Sequence, residues 1–272
     1  MRELVRNYEA WDVETAAFDH TVTVWKDGEN YYQLSHSSKP GAFDLDNLPM
    51  PSSIPQAHFR GRWHSSLTEC QPPFPPDSYQ KNPAIMLPDD YDAADPSYKT
   101  PGEHMLIEAE IYEILKQLPH PNVCHYYGCV RGGQYVTAIV LKKYKHSLHH
   151  ALQSGAALDR DAILSGIEKG LKFLHDTHGL VHNDINPTNI MLDDKGLPVI
   201  IDFDSCGRIG EDLTGRKGGT FGWVKKPEPR ISTVESDDYA LSLIARYMDG
   251  QVVDGLPVPP EVSVSMSPPF LP

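Results

Sequence analysis

The chain has 272 residues, a length that suits about two compact units or one two-lobed fold. Such a length can bury a core without disulfide support. Its net charge of −13 argues against general nucleic-acid binding, which relies on neutralising phosphates. Of the 24 prolines, 18 crowd into residues 40–101 and 257–272, so regular structure is expected mainly between those blocks.

In chain order, the β-prone runs Thr21–Trp25 and Tyr31–Leu34 flank an Asp-Gly turn and predict a hairpin. The stretch from Pro40 to Pro88, with Pro72–Pro76 at its centre, predicts irregular or polyproline-like chain. Thr100, Pro101 and Glu103 form a capping-box start for a helix whose apolar residues include Leu106, Ile107, Ile111, Ile114 and Leu115. Strands are expected over 123–130 and 134–144. A second helix is expected over 159–177, short strands at 190–192 and 198–201, and a third helix from Ser236 to Met248. No apolar run approaches the roughly 20 residues that span a bilayer, and no signal peptide is evident. The four cysteines form no C-x-x-C pair. The expectation is an intracellular protein, cytoplasmic or nuclear, with free thiols and no membrane or nucleic-acid partner.

The chemistry concentrates in His182-Asn183-Asp184-Ile185-Asn186-Pro187-Thr188-Asn189, followed after a β-turn by Asp202-Phe203-Asp204. This resembles the H-R-D-x-x-x-x-N loop and the D-F-G motif of the eukaryotic protein kinase superfamily. Further likenesses are His120-Pro121-Asn122-Val123, Thr220 with Pro227-Glu228, and Ser236-Asp237-Asp238-Tyr239-Ala240-Leu241. The resemblance implies an α+β, protein-kinase-like two-lobed fold with a divergent β-rich N-lobe and a shortened helical C-lobe. It implies ATP and Mg²⁺ as cofactors, Asp184 as catalytic base, and Asn189 and Asp202 as metal ligands. Lys81 and Glu110 would be the pair that orients ATP. Asp237 would hold the backbone of the catalytic loop, and Phe203, His182 and Ile114 would belong to an apolar spine between the lobes. The boundaries read as an N-terminal hairpin and proline-rich extension over 1–77, a kinase-like domain over 78–249 with lobes dividing near 144/145, and a proline-rich tail over 250–272.

Several positions depart from the family pattern. No G-x-G-x-x-G precedes Lys81, so the backbone loop that covers phosphates is missing. Asn183 replaces the arginine that reads a phosphorylated activation segment. Asn186 replaces the lysine that steadies the transferring phosphoryl group, and Asp204 stands at the glycine of D-F-G. The 23 residues after 249, rich in proline, are not expected to form the family's last helices. Arg208, Arg216, Lys217, Lys225, Lys226 and Arg230 make the activation segment basic, either as a solvated loop or as a contact for nucleotide phosphate or an acidic partner. The thirteen histidines read as surface or packing residues. The leading function is ATP-dependent phosphoryl transfer to a Ser/Thr hydroxyl of an unknown protein substrate. A pseudokinase that binds ATP or scaffolds without turnover is the alternative. A small-molecule kinase of the aminoglycoside-phosphotransferase type is third.

Overall fold

The computed structural model describes residues 1–12, 15, 17–39, 41, 43–87 and 99–251. Strands β1 (Glu3–Trp11), β2 (Phe18–Asp27), β3 (Asn30–His36) and β4 (Ser53–Ile54) form an antiparallel meander in that order. β2 and β3 are the expected hairpin. It closes at the Asp27–Asn30 pair, with Gly28 in the left-handed region at φ 61°, where a residue without Cβ is favoured. β1 was not anticipated. Its apolar residues Leu4, Val5 and Trp11 are exposed, so no hydrophobic alternation marks it. The meander buries Val22, Val24, Trp25 and Ile54. Trp25 stacks on Tyr32 at 5.7 Å, and Phe59 of the short helix α1 (Gln56–Phe59) meets Tyr31 edge-on at 5.1 Å.

A second sheet carries the small lobe. Strand β5 (Ser78–Lys81) precedes helix α2 (Pro101–Leu115), and strands β6 (Tyr126–Gly132) and β7 (Tyr135–Lys142) follow. The order is β5-β7-β6, all antiparallel. The capping box of α2 is complete: Glu103 N–H donates to the Thr100 hydroxyl at 3.2 Å, and Thr100 N–H donates to the Glu103 carboxylate at 2.7 Å. Chain that precedes β5 also joins this sheet. Trp63 N–H donates to the Gln134 carbonyl at 2.9 Å and Cys129 N–H to the Thr68 carbonyl at 2.8 Å. Residue 128 must be glycine for that approach, because a Cβ there would lie 2.8 Å from the Thr68 carbonyl oxygen. Glu113 then ties the same segment to α2, accepting from Thr68 N–H at 2.6 Å and from the Tyr126 hydroxyl at 2.8 Å. Burial opposes ionisation of Glu113, but the bonds from Lys116, Thr68 and Tyr126 outweigh it and hold the carboxyl below its usual pKa.

The large lobe contains β8 (His146–Ser147), α3 (Leu148–Gln153), α4 (Arg160–Lys172), β9 (Leu180–Val181), β10 (Ile190–Leu192), β11 (Pro198–Ile200), β12 (Gly207–Arg208) and α5 (Val234–Met248). The helix expected over 159–177 is α4 continued by a π-helical turn, Phe173–Thr177, with Asp159 as N-cap. Gly166 and Gly170 let α4 lie against β11. A Cβ at the first would sit 2.5 Å from the Pro198 ring, and one at the second 2.8 Å from Ile200 Cδ1. Ile163, Ile167, Leu171 and Leu174 are buried on this face, each worth about 1.5–3 kcal/mol of apolar burial. The result is the expected α+β arrangement, with a β-rich small lobe and a helical large lobe. Of the tail expected over 250–272, everything beyond Gln251 lies outside the described residues. Among the described residues no helix is long and apolar enough to cross a membrane. The four cysteines are free, and among the described residues no group of three His, Cys, Asp or Glu side chains is placed to hold a metal ion. His146 and His150, spaced four apart, stack on each other at 5.0 Å.

Candidate active site

Lys81 ends β5 and reaches between the lobes. Its ammonium donates to Glu108 Oε2 and to Asp202 Oδ1, each at 2.6 Å. The expected partner, Glu110, is a correction: it lies half-exposed on the outer side of α2, 3.2 Å from His64. Glu108 is buried at 1% exposure, on the face shared with Met105, Tyr112 and Leu115. The same two-residue offset corrects the spine. Tyr112, not Ile114, meets Phe203 at 5.1 Å and stacks on Tyr126 at 5.4 Å, while His182 approaches Phe203 at 5.1 Å. The misreading has a physical source: α2 carries apolar residues on most of its faces, and Leu106, Ile107 and Ile114 are only partly buried. The apolar 105/109/112/115 spacing is the sequence signal that could have identified the inner face.

One ammonium serving two carboxylates separates their behaviour. Burial pushes Glu108 up to about 7, with Lys81 opposing that rise and Asp202 and Asp204 adding to it. Burial acts in the same sense on Asp202, but Lys81 and Lys217 outweigh it and hold its carboxyl at about 2. Lys81 itself is held above the usual lysine range, the neighbouring carboxylates overcoming its burial.

The loop between β9 and β10 builds the centre. Asp184 is buried and accepts from Asn189 Nδ2 at 3.1 Å, from Asn186 Nδ2 at 3.1 Å and from Thr220 N–H at 2.7 Å. Asn189 also donates to the Asp184 carbonyl at 2.9 Å. Both its donors thus turn toward Asp184, leaving the amide oxygen without a donor among the described residues. The loop rests on Asp237 of α5, which accepts from His182 N–H and Asn183 N–H, each at 2.9 Å, and pairs with His175 at 2.8 Å. Asn183 sits at φ 64°, and its side-chain amide donates to the Ser205 carbonyl at 3.3 Å and the Ser232 hydroxyl at 3.0 Å. The position where the family reads a phosphate is therefore a neutral clip between the two ends of the activation segment.

Asp202 follows at φ 67°. Beyond it, Lys217 from the activation segment donates to Asp204 Oδ2 at 2.7 Å and lies 4.0 Å from Asp202 Oδ2. Sequence reasoning did not single this side chain out from its basic neighbours. Of the others, Arg216 pairs with Glu211, Lys225 lies over Tyr239 at 5.6 Å, and Lys226 over Phe221 at 4.8 Å. Asp202, Asp204 and the free amide oxygen of Asn189 are hard oxygen donors. That donor chemistry fits a Mg²⁺ ion, which takes one or two carboxylates and completes its shell with water and phosphate.

A two-lobed α+β fold whose cleft holds a lysine–glutamate pair, an Asp–Asn loop and a metal-type aspartate defines a phosphotransferase architecture of the kinase class. Comparison with known proteins agrees: the model of the protein kinase domain matches residues 94–242. The chain belongs to the protein kinase family, whose members use ATP and Mg²⁺. It is 34% identical over 148 residues to a probable LRR receptor-like serine/threonine-protein kinase of Arabidopsis thaliana, covering 48% of this chain and 15% of that one. It is 34% identical over 126 residues to the MAP kinase kinase skh1/pek1 of Schizosaccharomyces pombe, covering 40% of this chain and 33% of that one. The chain therefore spans a third or less of the length of these relatives. A solved structure of the yeast RNA Pol II CTD kinase CTDK-1 complex superposes with a TM-score of 0.45 at 16% identity, over 52% of this chain and 49% of that one.

Proposed function

We propose that this chain transfers the γ-phosphoryl group of ATP to a Ser/Thr hydroxyl. The observation that carries the reading is Lys81 held at 2.6 Å by both Glu108 and Asp202, beside an Asp184 whose carboxylate is aimed by Asn189. In this reading Lys81 orients the nucleotide phosphates and Glu108 holds Lys81. Asp184 accepts the proton of the attacking hydroxyl. Asp202 and Asn189 hold Mg²⁺, which supplies positive charge to the phosphates when bound. Phosphoryl transfer depends on positioning and charge rather than on covalent catalysis, and these are roles of that kind.

A second reading, a nucleotide-binding module without turnover, has its own support. Among the described residues no glycine-rich hairpin flanks β5, and Asn186 brings no charge to the loop. ATP–Mg²⁺ binding and transfer of labelled γ-phosphate to a protein acceptor decide between them, measured for the wild type, Asp184→Ala and Asp202→Ala. The enzyme reading expects Asp184→Ala to bind nucleotide and to lose transfer by at least about 10²-fold, and Asp202→Ala to lose Mg²⁺-dependent binding. Binding without transfer by the wild type establishes the second reading, and no binding removes both.

A further inference from the structure

The catalytic loop lacks a cation, and the side chain at its expected place is committed elsewhere. Asn186 Oδ1 accepts from Thr188 N–H at 2.9 Å and from the Thr188 hydroxyl at 2.5 Å, and its amide donates to Asp184 and to the Thr220 hydroxyl. Lys81 is also committed, deep between Glu108 and Asp202. A site with Asp184, Asp202 and Asp204 would meet a triphosphate with a deficit of positive charge at its outer end. Lys217 is the cation on that side. Its ammonium donates to Asp204 and approaches Asp202, and its side chain is 45% exposed. Its place is fixed from both sides. Arg216 is paired with Glu211, Leu213 N–H donates to the Arg230 carbonyl at 2.8 Å, Gly219 N–H donates to Glu228 at 3.0 Å, and Thr220 N–H donates to Asp184 at 2.7 Å.

We propose that Lys217 contacts the transferring phosphoryl group, an activation-segment lysine supplying the charge that position 186 does not. The proposal rests on the nucleotide-binding reading above. In the step, the substrate hydroxyl oxygen bonds to the γ-phosphorus, and the bond from that phosphorus to the β-bridging oxygen breaks. The hydroxyl proton passes to Asp184, and ADP leaves with the bridging oxygen. Lys217 keeps its protons throughout and offsets charge on the γ-oxygens through charge-assisted hydrogen bonds.

A cation on the γ-phosphoryl group distinguishes ATP from ADP whether or not turnover follows. The test is therefore the dissociation constants of ATP–Mg²⁺ and ADP–Mg²⁺ for the wild type, Lys217→Met, Lys217→Arg and the double variant Lys217→Met/Asn186→Lys, with transfer rates alongside. The expected result for Lys217→Met is about tenfold weaker ATP binding with ADP binding within about twofold. Lys217→Arg should keep most of the preference, and Asn186→Lys in the Met background should restore it with part of any transfer activity. Equal loss for both nucleotides, no loss for either, tighter ATP–Mg²⁺ binding on losing the lysine, or failure of Asn186→Lys to restore the preference would each overturn the proposal and leave the nucleotide reading intact. A wild type that binds neither nucleotide overturns both.

Discussion

Lys81 satisfies two acidic side chains of different elements with one ammonium, and that shortage of positive charge determines how each behaves. Asp202 also feels Lys217 and stays ionised, whereas Glu108 sits in the drier position and is pushed up to about 7. Replacing Glu108 with Gln should weaken ATP–Mg²⁺ binding by about tenfold through loss of the charge that aims Lys81, and Glu110→Gln should leave it unchanged. The reverse order of effects would restore the sequence-based pairing. The pH dependence follows from the sign of the shift. A folded-state pKa raised above the usual 4.5 gives stability that is complete below that value and lost as pH rises through about 7. Glu108→Gln does not titrate, so its melting temperature should rise relative to the wild type between about pH 5 and pH 8. A wild type that gains on the variant over that window contradicts the assignment. Residue types were legible at this scale, and residue partners were less so. The motif resemblance picks out Asp184, Asn189 and Asp202 from fixed spacing within one loop and turn. The Lys81 partner depended on which face of α2 turns inward, and apolar residues on several faces hid that.

At the scale of elements, the catalytic loop is not self-supporting. Three backbone or ring donors from residues 175–183 converge on the Asp237 carboxylate, which is completely buried in the first turn of α5. The helix that follows the activation segment in sequence therefore holds the loop that precedes it. Asp237→Ala would leave the His182 and Asn183 amides buried without an acceptor, at a cost of about 3 kcal/mol or more. Urea unfolding should show that loss. Asp237→Asn, which keeps one carbonyl acceptor, should fall between the two. Equal stability for all three proteins would mean that the loop is held by other contacts. The Asn183 clip belongs to the same scale: its amide joins Ser205 to Ser232 directly, so the ends of the activation segment are tied without a phosphate. Sequence showed the longer helices well at this scale because their signals are local, as in the cap at Thr100. The pairing of residues 61–70 with β6 and β7 was not legible. It depends on backbone hydrogen bonds between distant segments, with no side-chain pattern to mark them.

At the scale of the whole molecule, the N-terminal meander is joined to the kinase-like lobes along α2. The join is made at backbone level: a Cβ on Gly102 would lie 2.6 Å from the backbone nitrogen and carbonyl carbon of Arg60, and one on Gly61 would lie 2.7 Å from the Gly102 carbonyl oxygen. Side chains reinforce it beyond β5, where Gln33 donates to the Leu87 carbonyl at 2.5 Å and accepts from Leu87 N–H at 2.7 Å, and His58 meets the Met86 carbonyl at 3.0 Å. The helix that carries Glu108 thus has the Arg60–Gly61 segment that follows α1 at its first turn and the Thr68–Glu113 tie near its last. Because neither Arg60 nor Gly102 can yield by rotating a side chain, Gly102→Val must separate α1 from α2 or tilt the start of α2. Hydrogen exchange should then quicken across residues 56–62 and 101–106, while amides around Asp237 in the large lobe keep their protection. Tilting α2 also moves Glu108, so ATP–Mg²⁺ affinity should fall in the same variant, more than it does for Thr100→Ala, which weakens the helix cap by about 1 kcal/mol without forcing the two segments apart. Unchanged exchange at residues 56–62 would show that the contact between the meander and α2 tolerates a side chain, and would detach the N-terminal unit from control of the Lys81–Glu108 pair.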